Sequence, residues 1–384
     1  MPSPHATPPP SPPRPSACGW LRLGVVAAVL ALVACRWDGH TGFTALIRFG
    51  DAFAERRLPA VAALPHESVP GLGYDGQFYA QLAVDPHVLR SEVRGALDLP
   101  AYRAQRLLLP LLAHAAGRPW WILQTYALLN VFAWLLLARF WWAEVSALAP
   151  GRAGWLWLAG VLSLGALDSV RLALVDLPAT LLLLLGVRAA RAGAATGAAA
   201  FVALAGLTRE TALFGALAVA GATCWKRWAL RAVCALPAAA WFLWLRTNLP
   251  ADAGGFAGNF AWPGAALAEH LVRCSWALAH GNFDSRYLWG LAGALGFAYQ
   301  SLHLLFAARH RWAEPWVRAG VPFAILFWVL GDAVWAGYWA VARACLPLTF
   351  AFNFTLPAGR GFWWRFALGN ACLLHAIYRF LPPF

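Results

Sequence analysis

Apolar runs of roughly 18 or more residues recur along the chain, the length a helix needs to cross a bilayer. The first covers 19–35, and others lie near 119–142, 153–167, 171–190, 195–208, 211–225 and 229–246. Four more follow at 287–307, 316–336, 340–357 and 365–382. Two polar stretches, 36–105 and 247–285, separate these runs. The first is too long for a tight turn and is expected to carry short helices of its own. Pro100, just after Asp98, marks a helix start, and Pro110 is expected to kink that helix. The stretch 107–117 is too short to cross alone and reads as re-entrant or interfacial. Pro2 to Pro15 is rich in Pro and Ser, which predicts a disordered leader over 1–17. Leu32-Val33-Ala34-Cys35 has the look of a lipoprotein cleavage box, but a signal anchor leading into further spans needs no cleavage. The expected fold is therefore all-α: a single transmembrane domain over 18–384 with about eleven spans and a large first external loop.

Composition agrees. Hydrophobic residues make up 61% of the 384 and charged residues only 12%, about half the charge of a typical soluble chain. Mean hydropathy is +0.57. The formal net charge is +13, almost all of it arginine. In a soluble protein that balance suggests nucleic acid; here it reads as loop arginines retained on the cytoplasmic side. The seven cysteines lie mostly in apolar segments without CxxC spacing, which excludes a disulfide framework and a structural zinc site. No HExxH, P-loop or dinucleotide fingerprint occurs. The paired tryptophans Trp120, Trp121, Trp141 and Trp142 read as interfacial anchors, and His270 and His280 as ordinary loop histidines.

With a cytoplasmic N-terminus, the inside loops carry Arg152, Arg188, Arg191, Lys226, Arg227, Arg231, Arg309, Arg311, Arg318, Arg360 and Arg365. The same topology sends the Asp75 loop, the segment from Asp168 to Asp176, the break Thr208-Arg209-Glu210-Thr211 and Arg343 to the external end. A charge in mid-span costs about 2.5–3.5 kcal/mol even on the lenient insertion scale, so such residues tend to be paired and functional. Taken singly, each is as readily a structural pair or a snorkelling helix end.

The first loop reads Gly71-Leu-Gly-Tyr-Asp-Gly-Gln-Phe-Tyr-Ala-Gln-Leu-Ala-Val-Asp-Pro86. It gathers Asp75 and Asp85 in a chain with only 17 acids. Gly76 permits a tight turn that presents the Asp75 carboxylate, and a partly desolvated carboxylate is a credible general base. Arg103 and Arg106 share a helix face with Tyr102 nearby. Their planar forks suit phosphate, although lipid head groups would use them equally well.

Gly73-Tyr-Asp-Gly-Gln-Phe-Tyr79, Asp85-Pro86, Tyr102-Arg-Ala-Gln-Arg-Leu-Leu-Leu-Pro110, Val175-Asp-Leu-Pro-Ala-Thr180 and Leu207-Thr-Arg-Glu-Thr211 together resemble a family of bacterial polytopic membrane proteins. Arg343-Ala-Cys-Leu-Pro347 fits more loosely. That family is similar to the GT-C glycosyltransferases, which take sugars from polyprenyl-phosphate donors. The resemblance implies Asp75 as catalytic base in the first external loop, with Gln77 where a second acid often stands and Asp85 in reserve for it. It leaves a divalent metal open. It also implies a phosphate role for basic residues, best placed on Arg106 and Arg209. The set expected to meet substrate is Tyr74, Gln77, Tyr102, Arg103, Arg106, Asp176, Arg209, Glu210 and Arg343, with Asp75 and Asp85 catalytic. The expected reaction is inverting transfer of a hexosyl or pentosyl group to an acceptor hydroxyl on a cell-envelope glycan, lipid or protein, at the external face of the bacterial inner membrane. No nucleic acid partner is expected. A transporter or flippase, or a non-catalytic assembly protein, are the alternatives.

Overall fold

The computed structural model describes residues 17–220, 223–250, 252 and 258–381; all but Ala17 of the expected leader lies outside them. The described chain is almost wholly helical. Its one sheet is a two-residue parallel pair, Phe49–Gly50 against Ser68–Val69. Three helices are long and apolar enough to cross a membrane: Pro119–Leu148, Cys224–Asn248 and Ser285–Arg311. A fourth candidate is broken, with Pro150–Val161 and Leu164–Arg171 meeting at 44°. These features mark an integral membrane protein. Pro119 opens the longest helix at a position where its missing N–H costs nothing. That helix buries Trp134 and Trp141 completely, and each indole donates across to a carbonyl, of Val161 at 2.8 Å and Leu156 at 2.9 Å. Trp141 is thus a core residue, not the interfacial anchor expected of it, whereas Trp121 is 57% exposed.

The other expected spans are shorter or interrupted. Ala195–Thr208 has 14 residues and Pro315–Val329 has 15, about 21–23 Å of helix against a hydrocarbon core of about 30 Å. The expected run 211–225 begins as a 3-10 helix, Glu210–Ala218. The run 340–357 splits into Tyr338–Ala344 and Leu346–Thr355, with Pro347 in the first turn of the second piece. The run 365–382 splits into Phe362–Gly369 and Leu373–Phe380. Pro100 does open a helix, but it stops at Ala104, and Pro110 sits in a separate seven-residue helix, Leu108–His114. The second polar stretch contains the unforeseen helix Ala265–Ala279. His270 lies on it, buried, beside Cys274 at 3.5 Å, and is not a loop histidine.

The first polar loop is a folded cap. Gly73 has φ +64, and a Cβ there would come within 2.3 Å of the Gly50 amide nitrogen. Gly76 is helical, not a turn residue; it opens the helix Gly76–Val84. Its role is close approach, because an added Cβ would sit 2.4 Å from the carbonyl oxygen of Leu172. That carbonyl belongs to the break between helices Leu164–Arg171 and Asp176–Arg191, where Ala173 takes φ +47 and its carbonyl accepts from the Tyr126 hydroxyl at 2.9 Å. Asp75 therefore lies against a helix break. Gly76→Ala should cost about 1–3 kcal/mol and lower the thermal midpoint in detergent by several degrees. Gly95→Ala, where nothing lies within 4 Å of the added methyl, should leave the midpoint in place; equal shifts for both would remove the packing explanation.

Candidate functional site

Helix ends deliver the charges. Asp75 is the N-cap of Gly76–Val84, yet its carboxylate makes no capping bond and is left to the space beyond. Asp176 opens Asp176–Arg191, with Pro178 tolerated in the first turn. Glu210 opens the 3-10 helix Glu210–Ala218. Arg103 and Arg343 stand in the last turns of Pro100–Ala104 and Tyr338–Ala344, and Arg209 caps the C-terminus of Ala195–Thr208. Acids at N-termini and cations at C-termini each match the helix dipole, a fraction of a kcal/mol apiece.

These ends converge on one cavity of about 840 Å³. Tyr74, Asp75, Tyr102, Arg103, Arg106, Arg209, Glu210 and Arg343 all line it. Leu326, Leu330 and Val334 give it an apolar stretch of wall. The second polar stretch reaches in through Phe260, bridged to Leu330.

The ion pairs form a chain. Arg103 is buried and bonds Asp98 through two nitrogens, at 2.8 and 2.7 Å, and Asp75 at 3.0 Å. Arg106 is buried and grips Glu210 at 3.1 and 2.8 Å while donating to the hydroxyls of Tyr79 and Tyr102. Arg209 pairs with Asp176 and donates to Thr211 at 3.2 Å. Arg343 is held more loosely than the other three. It stands 3.5 Å from Asp176 and 3.8 Å from Asp75, over the Tyr74 ring at 4.9 Å, and its Nε has no hydrogen-bond partner among the described residues. A buried unsatisfied donor costs about 1–3 kcal/mol, so a ligand oxygen placed there would be rewarded.

Four guanidiniums face four carboxylates, Asp75, Asp98, Asp176 and Glu210. An incoming anion must therefore take a guanidinium away from a carboxylate, and Arg343 has the weakest hold on its partners. Asp75 is one-third exposed, at 33%, and the nearest ion-pair partner of its Oδ2 among the described residues is Arg343 at 3.8 Å, beyond hydrogen-bond reach. Burial works to raise the Asp75 carboxyl, but Arg103, Arg343 and Arg106 outweigh it and hold it at about 2.

Three expected residues have other places. Asp85 lies at the far end of the helix Gly76–Val84, outside the cavity, bound to His87 at 2.7 Å and Arg90 at 2.9 Å. It cannot serve as a second acid to Asp75, because nine helical residues separate them. Gln77 is fully buried behind the cavity wall; it accepts from the Gly50 amide at 3.0 Å and donates to the Leu72 carbonyl at 2.8 Å, pinning the loop. Asp176 stands behind the wall and reaches the cavity through Arg209 and Arg343. Sequence reading passed over Asp98 and Tyr79, which hold the two loop arginines. Asp98, five residues before Arg103 and just ahead of Pro100, carried the only signal. It also missed Asp252, which accepts from the amides of Ala101 and Tyr102 at 3.3 and 2.7 Å and so ties the two polar stretches together.

Among the described residues no three His, Cys, Asp or Glu side chains are grouped to hold a metal ion. The cavity carboxylates are committed to arginines, so the donor set does not fit a divalent cation. Comparison with known proteins finds no matching family model, no matching curated protein and no matching solved structure.

Glu210→Gln leaves Arg106 buried without its counter-charge and should cost about 3 kcal/mol of stability. Adding Arg106→Gln should recover part of that loss; strictly additive losses in thermal unfolding would show that the two groups do not act as a pair. The Asp75 carboxyl is lower in the folded protein than its ordinary value of 3.8. Its ionised form therefore contributes full stability above that value, and the contribution disappears as pH falls from 3.8 towards about 2. Stability profiles of wild type and Asp75→Asn should accordingly run parallel from neutral pH down to about 4.5 and converge only below. Convergence beginning near pH 6 would contradict the assigned pairing.

Proposed function

We propose that this protein is a membrane glycosyltransferase that moves a sugar from a polyprenyl-phosphate carrier to an acceptor hydroxyl with inversion. What supports the reading is a reactive-looking carboxylate, Asp75, facing the same cavity as a loosely held arginine, Arg343, beside an apolar wall. The volume lies in the range of small-ligand sites. The donor's chain would lie along Leu326, Leu330 and Val334, with its phosphate on Arg343 and the neighbouring guanidiniums.

In the reaction, the acceptor oxygen bonds to the anomeric carbon while that carbon's bond to the phosphate oxygen breaks. The bonding pair leaves with the phosphate, where the arginines offset its growing charge. The acceptor's proton passes to Asp75. In the ligand-free protein Asp75 is too weak a base for this task, since its carboxyl is held at about 2. A phosphate that engages Arg343 removes one of the cations responsible, so donor binding makes Asp75 more basic. The cavity thus needs its anion before the base becomes effective.

This reading carries with it a GT-C-like arrangement of about eleven crossings, in which short helices join to cross the bilayer. It also carries a bacterial inner-membrane location, a cytoplasmic N-terminus, and an external acceptor on an envelope glycan, lipid or protein. A scaffold role would not require Asp75 and Arg106 to face one cavity, as they do. One observation favours transport as a second reading: the charged residues sit at breaks in helices, as substrate sites of carriers often do.

In proteoliposomes supplied with radiolabelled polyprenyl-phosphate sugar, Asp75→Asn should transfer label at least about 100-fold more slowly than wild type while still folded at the assay temperature, despite the lower thermal midpoint that loss of its charge brings. Transfer by that variant at near-normal rate would end the assignment of the base. Carrier movement across the bilayer by wild type, with no transfer at all, would select the transport reading.

A further inference from the structure

Arg103 and Arg343 both pair with Asp75, but on different terms. Arginine has five N–H donors, and four of those on Arg103 are engaged. Nε and one hydrogen of Nη2 form a fork on Asp98, at 2.8 and 2.7 Å. The other Nη2 hydrogen reaches Asp75 Oδ1 at 3.0 Å, and Nη1 donates to the Tyr79 hydroxyl at 3.3 Å. The guanidinium carbon also lies over the Phe78 ring, 4.9 Å from its centre. Arg103 was expected to meet substrate, yet it has a single N–H left for an incoming phosphate. It is built as a strut between two carboxylates.

Asp98 is the foot of that strut. Two parallel charge-assisted bonds fix direction as well as distance, whereas a single bond runs from Arg103 to Asp75. The Asp98 carboxylate is itself held, because its Oδ1 accepts from the Leu99 amide at 2.8 Å. The helix Pro100–Ala104, which carries Arg103, is tied at both ends. Asp252 accepts from the amides of Ala101 and Tyr102, and the Trp241 indole donates to the Ala104 carbonyl at 2.8 Å. None of these contacts involves Arg343. A phosphate that draws Arg343 away therefore leaves Arg103 in place, with Asp75 Oδ1 still bound. Asp75 Oδ2 accepts no hydrogen bond among the described residues, so it is the oxygen open to a proton.

We infer that Asp98 is a positioning residue for Asp75: it fixes Arg103, and Arg103 pins one carboxylate oxygen so that the other is offered to the cavity. The placement of Asp75 stands by itself; only its service as base rests on the sugar-transfer reading.

Two variants separate positioning from simple neutralisation. Asp98→Glu keeps a counter-charge for Arg103 but moves it by one methylene, and Asp98→Asn keeps the size and removes the charge. In the proteoliposome transfer assay both should lower kcat at least about tenfold, the scale of a misplaced catalytic group. Neither should weaken the binding of sugar-free polyprenyl phosphate, and Asp98→Glu should remain folded at the assay temperature. Full kcat in Asp98→Glu would reduce Asp98 to a counter-charge, and weaker phosphate binding by Asp98→Glu would put Arg103 on the donor; either result overturns the inference. A second measurement needs no turnover. Asp75→Asn and Asp98→Asn each leave the buried Arg103 one carboxylate, and the double variant leaves it none. Its fall in thermal midpoint should exceed the sum of the two single falls, and a fall equal to that sum overturns the inference. An excess fall in a protein whose wild type transfers no sugar would uphold the strut and end the sugar-transfer reading instead.

Discussion

Arg343 lies between two carboxylates, Asp75 of the first polar loop and Asp176 at the start of the helix Asp176–Arg191. Buried charges are tolerated only when paired, and losing one partner of a buried pair costs several kcal/mol. That requirement ties the first polar loop to the helix Asp176–Arg191 and to Tyr338–Ala344. The glycines follow from it. Gly76 lets the loop backbone meet the Leu172 carbonyl, and Gly73 lets it fold back on Gly50. Asp98, Tyr79 and Glu210 then satisfy Arg103 and Arg106, so that Arg343 is left the least bonded of the four cavity cations. A site assembled from helix ends is rigid in its backbone and exchangeable in its ion pairs.

Charge balance sets the terms on which the cavity could receive an anion. In the cavity each cation has a carboxylate to lose, so an anion enters by exchange, and the exchange alters the basicity of Asp75.

Much of the cavity was legible because lipid makes polar residues conspicuous. Arg209 and Glu210 stood out by interrupting an apolar run, Asp176 by preceding Pro178, and Asp75 by its company in an acid-poor chain. Helix lengths were less legible. An apolar run of 18 residues looks the same whether it forms one straight helix or two short ones. The splits at Cys345 and Asn370 come from tertiary packing, with Asn353 and Asn370 exchanging amide hydrogen bonds at 3.1 and 3.0 Å. Asp85 misled because proximity in sequence was taken for proximity in space, and the helix between it and Asp75 carries it away. Asp98 escaped notice because a carboxylate in a polar loop carries no penalty that would flag it.

The account depends most on Arg343 being the cation that a phosphate takes from Asp75. Binding of sugar-free polyprenyl phosphate to the purified protein, compared between wild type, Arg343→Lys and Arg343→Gln, measures this directly. The account predicts at least tenfold weaker binding for Arg343→Gln, with partial recovery in Arg343→Lys. Equal affinity across the three proteins, each still folded at the measuring temperature, would contradict it.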